Sequence, residues 1–211
     1  MSARTDILDR LRSALRDHPA VPEIPRTYRE DSGMSTEERI ELLVDRLVDY
    51  KAGVTVVDEA GLAPRIAELL RDAASYVVPA GIDGAWLADA EAAAPGRRRI
   101  DAADAPLSVA ELDAVDAVVT GSAVSVAETG TIILDGSPNQ GRRAITLVPD
   151  HHICVVREGD IAGILPEALR RLDGTRPLTW ISGPSATSDI ELERVEGVHG
   201  PRNLDVVIVR S

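Results

Sequence analysis

From residue 53 onward, short runs of aliphatic residues alternate with stretches whose apolar positions have helical spacing. Residues 54–57 and 76–78 have the length and composition of buried strands, and Leu62 and Ile66 mark one face of a helix between them. Strands that alternate with helices are joined by right-handed crossovers, which makes neighbouring strands parallel. The pattern therefore predicts an α/β fold with a Rossmann-like mixed, mostly parallel sheet flanked by helices.

Six further apolar runs complete the set of predicted strands. They cover residues 117–119, 131–134, 144–148, 153–156, 178–181 and 206–209, and helices are predicted at residues 85–93 and from Pro166. Because the central runs follow one another with little helix between them, we expect one antiparallel excursion in the sheet. The chain has no Phe, so its core consists of aliphatic side chains, which suit a sheet covered on both faces.

The first 34 residues differ in character from the rest of the chain. Residues 3–17 have the spacing of an amphipathic helix, and a polar segment with three prolines follows. Ser35 begins the next helix, because its hydroxyl can cap the helix while Glu38 completes a capping box. The sequence thus predicts an N-terminal helix with a proline-containing linker at residues 1–34 and an α/β domain at residues 35–211.

Charge and cysteine content narrow the range of functions. The formal net charge of −12 repels phosphate backbones and anionic lipids, so we expect neither nucleic acid nor a membrane as a partner. Cys154 is the one cysteine, whereas an iron–sulfur cluster takes about four thiolates. No apolar run approaches the roughly 18 residues of a membrane span, and the N-terminus does not resemble a signal peptide. We therefore expect a cytoplasmic protein without a cofactor of its own.

Three polar segments, two of which contain glycine, lie at the ends of predicted strands, where open α/β sheets usually bind ligands. In the first segment, Gly121 and Gly130 allow a positive φ and the close approach of a ligand, with Ser122 and Thr129 beside them. Glu128 stands between apolar residues and a turn, where desolvation would activate it as a nucleophile. Alternatively, Glu128 only accepts hydrogen bonds from backbone amides of the turn.

The second segment, Asp150-His151-His152, lies between two predicted strands. Adjacent residues of a strand point to opposite faces, so only one of the two histidines can face a given pocket, and the sequence does not decide which. We assign His152 to the ligand-binding set. A metal ion would need distant carboxylates as well, and neither HxxxH nor CxxC spacing is present, so no metal site is predicted.

The third segment runs from Gly183 to Glu191 and is rich in hydroxyl groups. An apolar strand leads into Gly-Pro and a predicted helix start, whose free N–H groups can hold a carboxylate or a phosphate. The ligand-binding residues assigned to this region are Gly183, Ser185, Thr187, Asp189, His199 and Arg202, the last two as sources of positive charge. An ordinary helix cap is the alternative, since Ser, Thr and Asp are preferred there. Arg142 and Arg143 form a further basic pair, which a solvated surface would also explain.

Together these segments resemble the lactate utilization protein C family, whose members carry the LUD domain. The residues that bear the resemblance are Ala127-Glu128-Thr129-Gly130-Thr131, Pro149-Asp150-His151-His152-Ile153, Gly183-Pro184-Ser185-Ala186-Thr187-Ser188-Asp189-Ile190-Glu191 and Gly197-Val198-His199-Gly200-Pro201. The similarity covers nearly the whole chain and is most specific over residues 117–210. It implies a fold similar to that of sugar-phosphate isomerases and CoA transferases. It also implies a subunit without a redox centre in a system that oxidises L-lactate to pyruvate, beside iron–sulfur and cysteine-rich partner subunits.

Two alternative functions stay open. The Glu128-Thr129-Gly130 turn is similar to the Glu-Asn-Gly turn that bears the nucleophile of CoA transferases, which makes Glu128 the catalytic residue of an acyl- or CoA-transferase-like enzyme. The other alternative is a protein that binds a phosphorylated metabolite at the helix start predicted over residues 185–189. All three interpretations share the expectation that the three segments converge on one pocket for a small anion. The sequence decides neither the ligand, nor the oligomeric state, nor whether the chain is catalytic by itself.

Overall fold

The computed structural model describes residues 2–17, 20, 23–188, 194–196 and 199–210, with only the backbone for residues 186–188 and 194–196. The helices are α1 (Ala3–Ala14), α2 (Thr36–Asp49), α3 (Glu59–Leu69), α4 (Ala88–Ala93), α5 (Val109–Asp113) and α6 (Leu165–Leu169). The strands are β1 (Gly53–Asp58), β2 (Tyr76–Pro79), β3 (Arg98–Asp101), β4 (Ala117–Thr120), β5 (Val124–Val126), β6 (Thr131–Leu134), β7 (His151–Arg157), β8 (Ile161–Ala162), β9 (Thr179–Ile181), β10 (Ala186–Ser188), β11 (Arg194–Glu196) and β12 (Asn203–Arg210). Short 3₁₀ helices cover Gly84–Leu87, Arg143–Thr146 and Glu158–Asp160. None of the helices within these ranges combines the length and the apolar character needed to cross a bilayer.

Six strands form the central sheet in the order β1-β12-β7-β4-β2-β3, and each runs parallel to its neighbours. The last strand of the chain, β12, therefore lies inside the sheet, between the first strand and β7. This arrangement confirms the predicted α/β class with a mostly parallel sheet.

The antiparallel strands form a second sheet instead of an excursion within the first. Its order is β8-β5-β6-β9, and β6 runs antiparallel to both β5 and β9. The helices α3 and α4 pack on one face of the central sheet, while α2 and the second sheet pack on the other. The outer face of the second sheet is covered by α6. The aliphatic runs of the sequence thus fill three adjoining layers of core.

The start of α2 follows the sequence prediction. The Ser35 hydroxyl accepts the N–H of Glu38 at 3.3 Å, and the Glu38 carboxylate accepts the N–H of Ser35 at 2.8 Å, which completes a capping box. The helix buries Ile40, Leu43 and Leu47 against the central sheet. In contrast, α1 has no buried residue.

Two predicted elements are wrong. Residues 143–146 form a 3₁₀ helix where we predicted a strand over 144–148, because an apolar run this short does not distinguish the two by periodicity. The helix start predicted within residues 185–189 is wrong over residues 186–188, which form the strand β10 and pair antiparallel with β11. Residues 189–193 lie outside the described ranges. The strands β3, β5 and β8 and the helix α5 were not predicted as separate elements.

Candidate functional site

A cleft of about 140 Å³ lies between the two sheets, beside the amino-terminal ends of β7 and β12. His152 and Leu204, the second residues of these strands, line its buried end, and Trp180 and Ile181 of β9 line the opposite side. One water molecule needs roughly 10–15 Å³, and pockets for drug-sized ligands begin at about 300 Å³. The cleft therefore has the size for a small metabolite.

Arg143 brings a positive charge to the cleft from the 3₁₀ helix that precedes β7. Its guanidinium donates to Thr146 Oγ1 and to the carbonyl oxygen of His199, both at 3.1 Å. Among the described residues, no carboxylate lies within 4.0 Å of this guanidinium. Although Arg143 as a residue is exposed, partial burial of the guanidinium lowers its pKa, and the group still stays charged at neutral pH. The charge is thus available to an anionic ligand.

His152 is the buried polar group of the cleft. Its Nε2 lies 2.8 Å from Thr120 Oγ1, and the imidazole is 1% exposed. Burial, together with the nearby His151 and Arg143, lowers the pKa of His152 to about 3. The ring is therefore neutral at physiological pH, and Nδ1 has no hydrogen-bond partner among the described residues.

The bend between β9 and β10 supplies hydroxyl groups to the cleft. Gly183 has a φ of +85°, and a Cβ at this position would lie 2.7 Å from the Cβ of Tyr50, so the bend requires glycine. The Ser185 N–H donates to the carbonyl oxygen of Pro201 at 2.8 Å, and its hydroxyl accepts the N–H of His199 at 3.2 Å. These bonds join the bend to residues 199–201, so that the two sides of the cleft hold each other in place.

A cation, a neutral imidazole and several hydroxyl groups therefore meet in one small cleft. A guanidinium matches the two oxygens of a carboxylate or phosphate, and neutral donors can bind further oxygens of the same ligand. This combination is suited to a small anion.

Comparison with known proteins identifies the family. The profile of the LUD domain matches residues 40–209. This chain belongs to the LUD-domain family. Lactate utilization protein C of Deinococcus radiodurans is 47% identical over 192 residues, which cover 89% of this chain and 87% of that protein. Lactate utilization protein C of Shouchella clausii is 31% identical over 116 residues, 52% of this chain and 50% of that protein. The crystal structure of a DUF162 family protein from Deinococcus radiodurans matches with a TM-score of 0.68 and 40% identity, covering 83% of this chain and 99% of that one. The family resemblance seen in the sequence is thus confirmed.

The cleft of this LUD domain gathers four residues that we assigned from the sequence, namely His152, Gly183, Ser185 and His199. Of the two adjacent histidines, His152 is the one in the lining. The structure therefore brings the second and third polar segments together at one place.

Thr129 and Gly130 lie one layer behind the cleft. The hydroxyl of Thr129 is 2.8 Å from that of Thr131, which in turn is 2.9 Å from the hydroxyl of Ser182 in the lining. Gly130 has the positive φ that we expected, +60°, and a Cβ there would lie 2.7 Å from the Cβ of Arg46 on α2. Thr129 is thus linked to the lining through Thr131, Gly130 packs against α2, and neither residue lines the cleft.

Glu128 is not among the residues that line the cleft. Its carboxylate pairs with Arg29 and is 41% exposed, and its N–H donates to the carbonyl oxygen of Gly163 at 3.0 Å. Arg46 Nε donates to the carbonyl oxygen of Glu128 at 3.3 Å. Glu128 thus faces α2 and the linker, and its carboxylate is paired and partly exposed instead of desolvated as we expected for a nucleophile.

Gly121 and Ser122 lie further along the central sheet. They follow the carboxyl end of β4, at least three residues, or roughly 10 Å, beyond the level of His152. Gly121 does not adopt the positive φ that glycine allows, and a Cβ there would lie 2.4 Å from Asn139 Nδ2. Ser122 donates to the carbonyl oxygen of Val155 at 3.1 Å. The protein's own groups therefore occupy both positions.

Arg202 binds Asp150 and is not among the residues that line the cleft. It makes two hydrogen bonds to Asp150, at 2.6 and 2.8 Å, and this pairing lowers the pKa of Asp150. His151 lies 2.7 Å from Asp205. The arginine in the cleft lining is Arg143, and Arg202 is not part of this lining.

Two assigned residues lie beyond what the structure describes, namely the side chain of Thr187 and all of Asp189. Their roles stay predictions.

The sequence assignment missed four residues of the cleft lining, namely Arg143, Thr146, Trp180 and Ser182. The Arg142–Arg143 pair was visible in the sequence, but which of the two faces a ligand depends on contacts with distant strands.

Proposed function

We propose that this LUD-domain protein acts in lactate utilization in the cytoplasm, as a subunit of an iron–sulfur system that oxidises L-lactate, and that its cleft binds L-lactate or pyruvate. The names of its relatives support the role in lactate utilization. The cysteine content supports placing the iron–sulfur clusters in other subunits, because a cluster takes about four thiolates and this chain has one cysteine. Cysteine-rich partner subunits would carry the electrons.

The observation that carries the proposal is the charge of Arg143 in a cleft of an acidic protein. A net charge of −12 disfavours anions at most of the surface, so a cation without a carboxylate partner among the described residues marks a place where an anion is stabilised. The guanidinium can bind a carboxylate through two parallel hydrogen bonds. The hydroxyl groups of Ser182 and Ser185 also line the cleft and can bind the oxygen on the neighbouring carbon.

His152 is better suited to binding than to removing a proton. With a pKa of about 3, its imidazole is a weak base at neutral pH. In the tautomer in which Thr120 donates to Nε2, the proton sits on Nδ1, which can donate to a ligand oxygen. The cleft then holds and orients the carboxylate, and the redox step belongs to the partner subunits.

Titration of the purified protein with L-lactate and with pyruvate, followed by calorimetry, tests the cleft. We expect saturable binding of at least one of them, and we expect Arg143→Gln to weaken it at least tenfold, or about 1.4 kcal/mol. The matched control is Arg71→Gln, which removes an arginine with a 70% exposed side chain outside the cleft and should leave the affinity unchanged. Equal affinities in the two variants would show that Arg143 does not hold the ligand.

A test in cells addresses the assembly separately. In a host without a second lactate oxidase, a strain lacking this chain should fail to grow on L-lactate, and the Arg71→Gln gene should restore growth better than Arg143→Gln. A tagged chain from lactate-grown cells should copurify with an iron–sulfur protein. Normal growth of the deletion strain contradicts the role in lactate utilization, whereas missing copurification contradicts only the subunit part.

A further inference from the structure

The amphipathic helix α1 presents an apolar face that none of the described residues of the same copy covers. Ile7, Leu11 and Leu15 are 59%, 53% and 55% exposed, and Leu8 beside them is 37% exposed. Residues at i, i+4 and i+8 lie in one row along a helix, so these side chains form a continuous stripe. Large aliphatic side chains exposed together in this way mark a surface that binds another apolar surface.

An apolar groove of the matching kind lies on α2, next to the edge strand β1. Val44, Val48 and Val56 line it above the buried Ile40, and its volume is about 570 Å³. Val48 and Val56 are exposed, and β1 has a hydrogen-bonded neighbour on one side only among the described strands. This groove is separate from the cleft that contains His152.

The two surfaces match in length and spacing. The stripe on α1 occupies positions 7, 11 and 15, and the row on α2 occupies positions 40, 44 and 48. From the first to the last side chain each row rises by eight residue steps, or about 12 Å at 1.5 Å per residue. Rows spaced by four residues on two helices interdigitate in the packing that is most common in globular proteins.

The stripe on α1 and the groove on α2 are flanked by charges of opposite sign. The row next to the stripe, one residue further along the chain, carries Arg4 and Arg12 on α1 and Arg16 just after its end, with Leu8 between the first two. The equivalent row of α2 is entirely acidic and consists of Glu37, Glu41, Asp45 and Asp49. Because both charged rows lie on the same side of their apolar rows, they meet when the two helices run antiparallel. In that orientation Ile7 lies opposite Val48.

We propose that α1 of one copy of this chain binds antiparallel in the α2 groove of a second copy, with the exchange reciprocal in a symmetric dimer. Apolar burial holds the helix, and the charged rows fix its direction, since exposed ion pairs contribute little to affinity but much to register. Three existing exposed pairs, Arg12 with Asp9, Arg46 with Asp45 and Arg210 with Glu37, rearrange at small cost.

The position of the linker favours a second copy over the chain's own groove. Arg29 pairs with Glu128, and the N–H of Ser32 donates to Glu167 at 2.6 Å. Both contacts lie on the side of α2 that faces the second sheet, where Arg46 reaches the carbonyl oxygen of Glu128, and the groove is on the other side.

Disulfide trapping between full-length copies of two sizes tests the inference. The one native cysteine, Cys154, is buried, so introduced thiols are the ones that react. A copy with Ile7→Cys mixed with a copy with Val48→Cys should form a disulfide between the two sizes. Leu15→Cys with Val48→Cys should not, because Leu15 lies at the other end of the row. The reverse result would replace the antiparallel orientation by a parallel one.

The double variant Ile7→Cys/Val48→Cys distinguishes whether the groove binds α1 of the same copy or α1 of a second copy. An intramolecular disulfide in this variant, with none between mixed copies, shows that α1 binds its own domain and overturns the proposal. Light scattering of the wild type should give a dimer that Leu11→Asp converts to a monomer. Ile24→Asp is the control, since it changes an apolar linker residue that is 64% exposed, against 53% for Leu11, and should leave the dimer intact. A monomeric wild type, or a dimer that Leu11→Asp does not affect, contradicts the proposal.

Discussion

Two neighbouring arginines show how little the identity of a residue says about its role. Arg142 makes two hydrogen bonds to the buried Asp101, at 2.9 and 2.8 Å, and holds β3 against the loop before β7. Arg143, one position later, faces the cleft and has no carboxylate partner among the described residues. The sequence predicts a basic pair but not this division, because the position of Asp101 depends on where β3 lies in the sheet.

The protonation of His152 leads to a prediction about stability in acid. Burial lowers the pKa of His152 to about 3 in the folded protein, whereas an unfolded chain has an ordinary histidine pKa of about 6.5. Between these values the unfolded state binds more protons, so the free energy of unfolding falls as the pH falls. For one histidine the slope approaches about 1.4 kcal/mol per pH unit.

In the variant His152→Gln, the free energy of unfolding should lack this part of its pH dependence. Urea unfolding at pH 6.5, 5.5 and 5.0 measures it in a range above the titration of most carboxylates. We expect the wild type to lose more stability across this range than the variant, although the variant starts lower because the bond to Thr120 changes. Identical slopes would mean that His152 takes up a proton in the folded state.

Elements that depend on neighbouring residues were predicted correctly from the sequence. Elements that depend on a distant strand partner were not. The first residues of α2 follow from Ser35 and Glu38 alone, since a capping box needs only four consecutive residues. The hydroxyl-rich residues 186–188 satisfy the same capping preferences, yet they form a strand because β11 provides a partner for them. A strand partner lies elsewhere in the sequence, so composition alone does not reveal it.

Glu167 joins three elements and provides a second prediction. Its carboxylate accepts the N–H groups of Ser32 and Gly163, both at 2.6 Å, and that of Ile164 at 3.4 Å. Burial raises the pKa of Glu167, but these bonds outweigh it and bring the pKa to about 2. The group therefore stabilises the fold at neutral pH, and this contribution is lost as the pH falls from about 4.5 towards 2.

The variant Glu167→Gln should release the linker from α6. An amide offers one acceptor oxygen in place of two, so we expect a loss of about 1–3 kcal/mol and faster hydrogen exchange at Ser32 and Gly163. The control is Glu158→Gln, outside this network. Exchange at Ser32 that stays as slow as in the wild type would show that other contacts hold the linker.

The order of the strands is a property of the whole molecule. The α/β class and the parallel direction follow from the alternation of elements, but the order β1-β12-β7-β4-β2-β3 does not. It determines the cleft as well, because Leu204 of β12 reaches the side of His152 only when β12 lies next to β7. The sequence could therefore predict that polar segments converge on a cleft, but not that Glu128 of the first segment would face the linker instead.

Because β12 lies inside the sheet, we expect the C-terminal strand to be required for folding and the N-terminal helix not to be. Deleting residues 203–211 removes the hydrogen-bonding partner of both β1 and β7, together with apolar side chains from two parts of the core. We expect this variant to lose cooperative thermal unfolding, measured by circular dichroism. Deleting residues 2–22 removes more of the chain but no buried residue of α1, so the remaining domain should still unfold in one sharp transition. Cooperative unfolding of the chain that ends at residue 202 would mean that the sheet closes without β12, and that this strand does not hold β1 and β7 together.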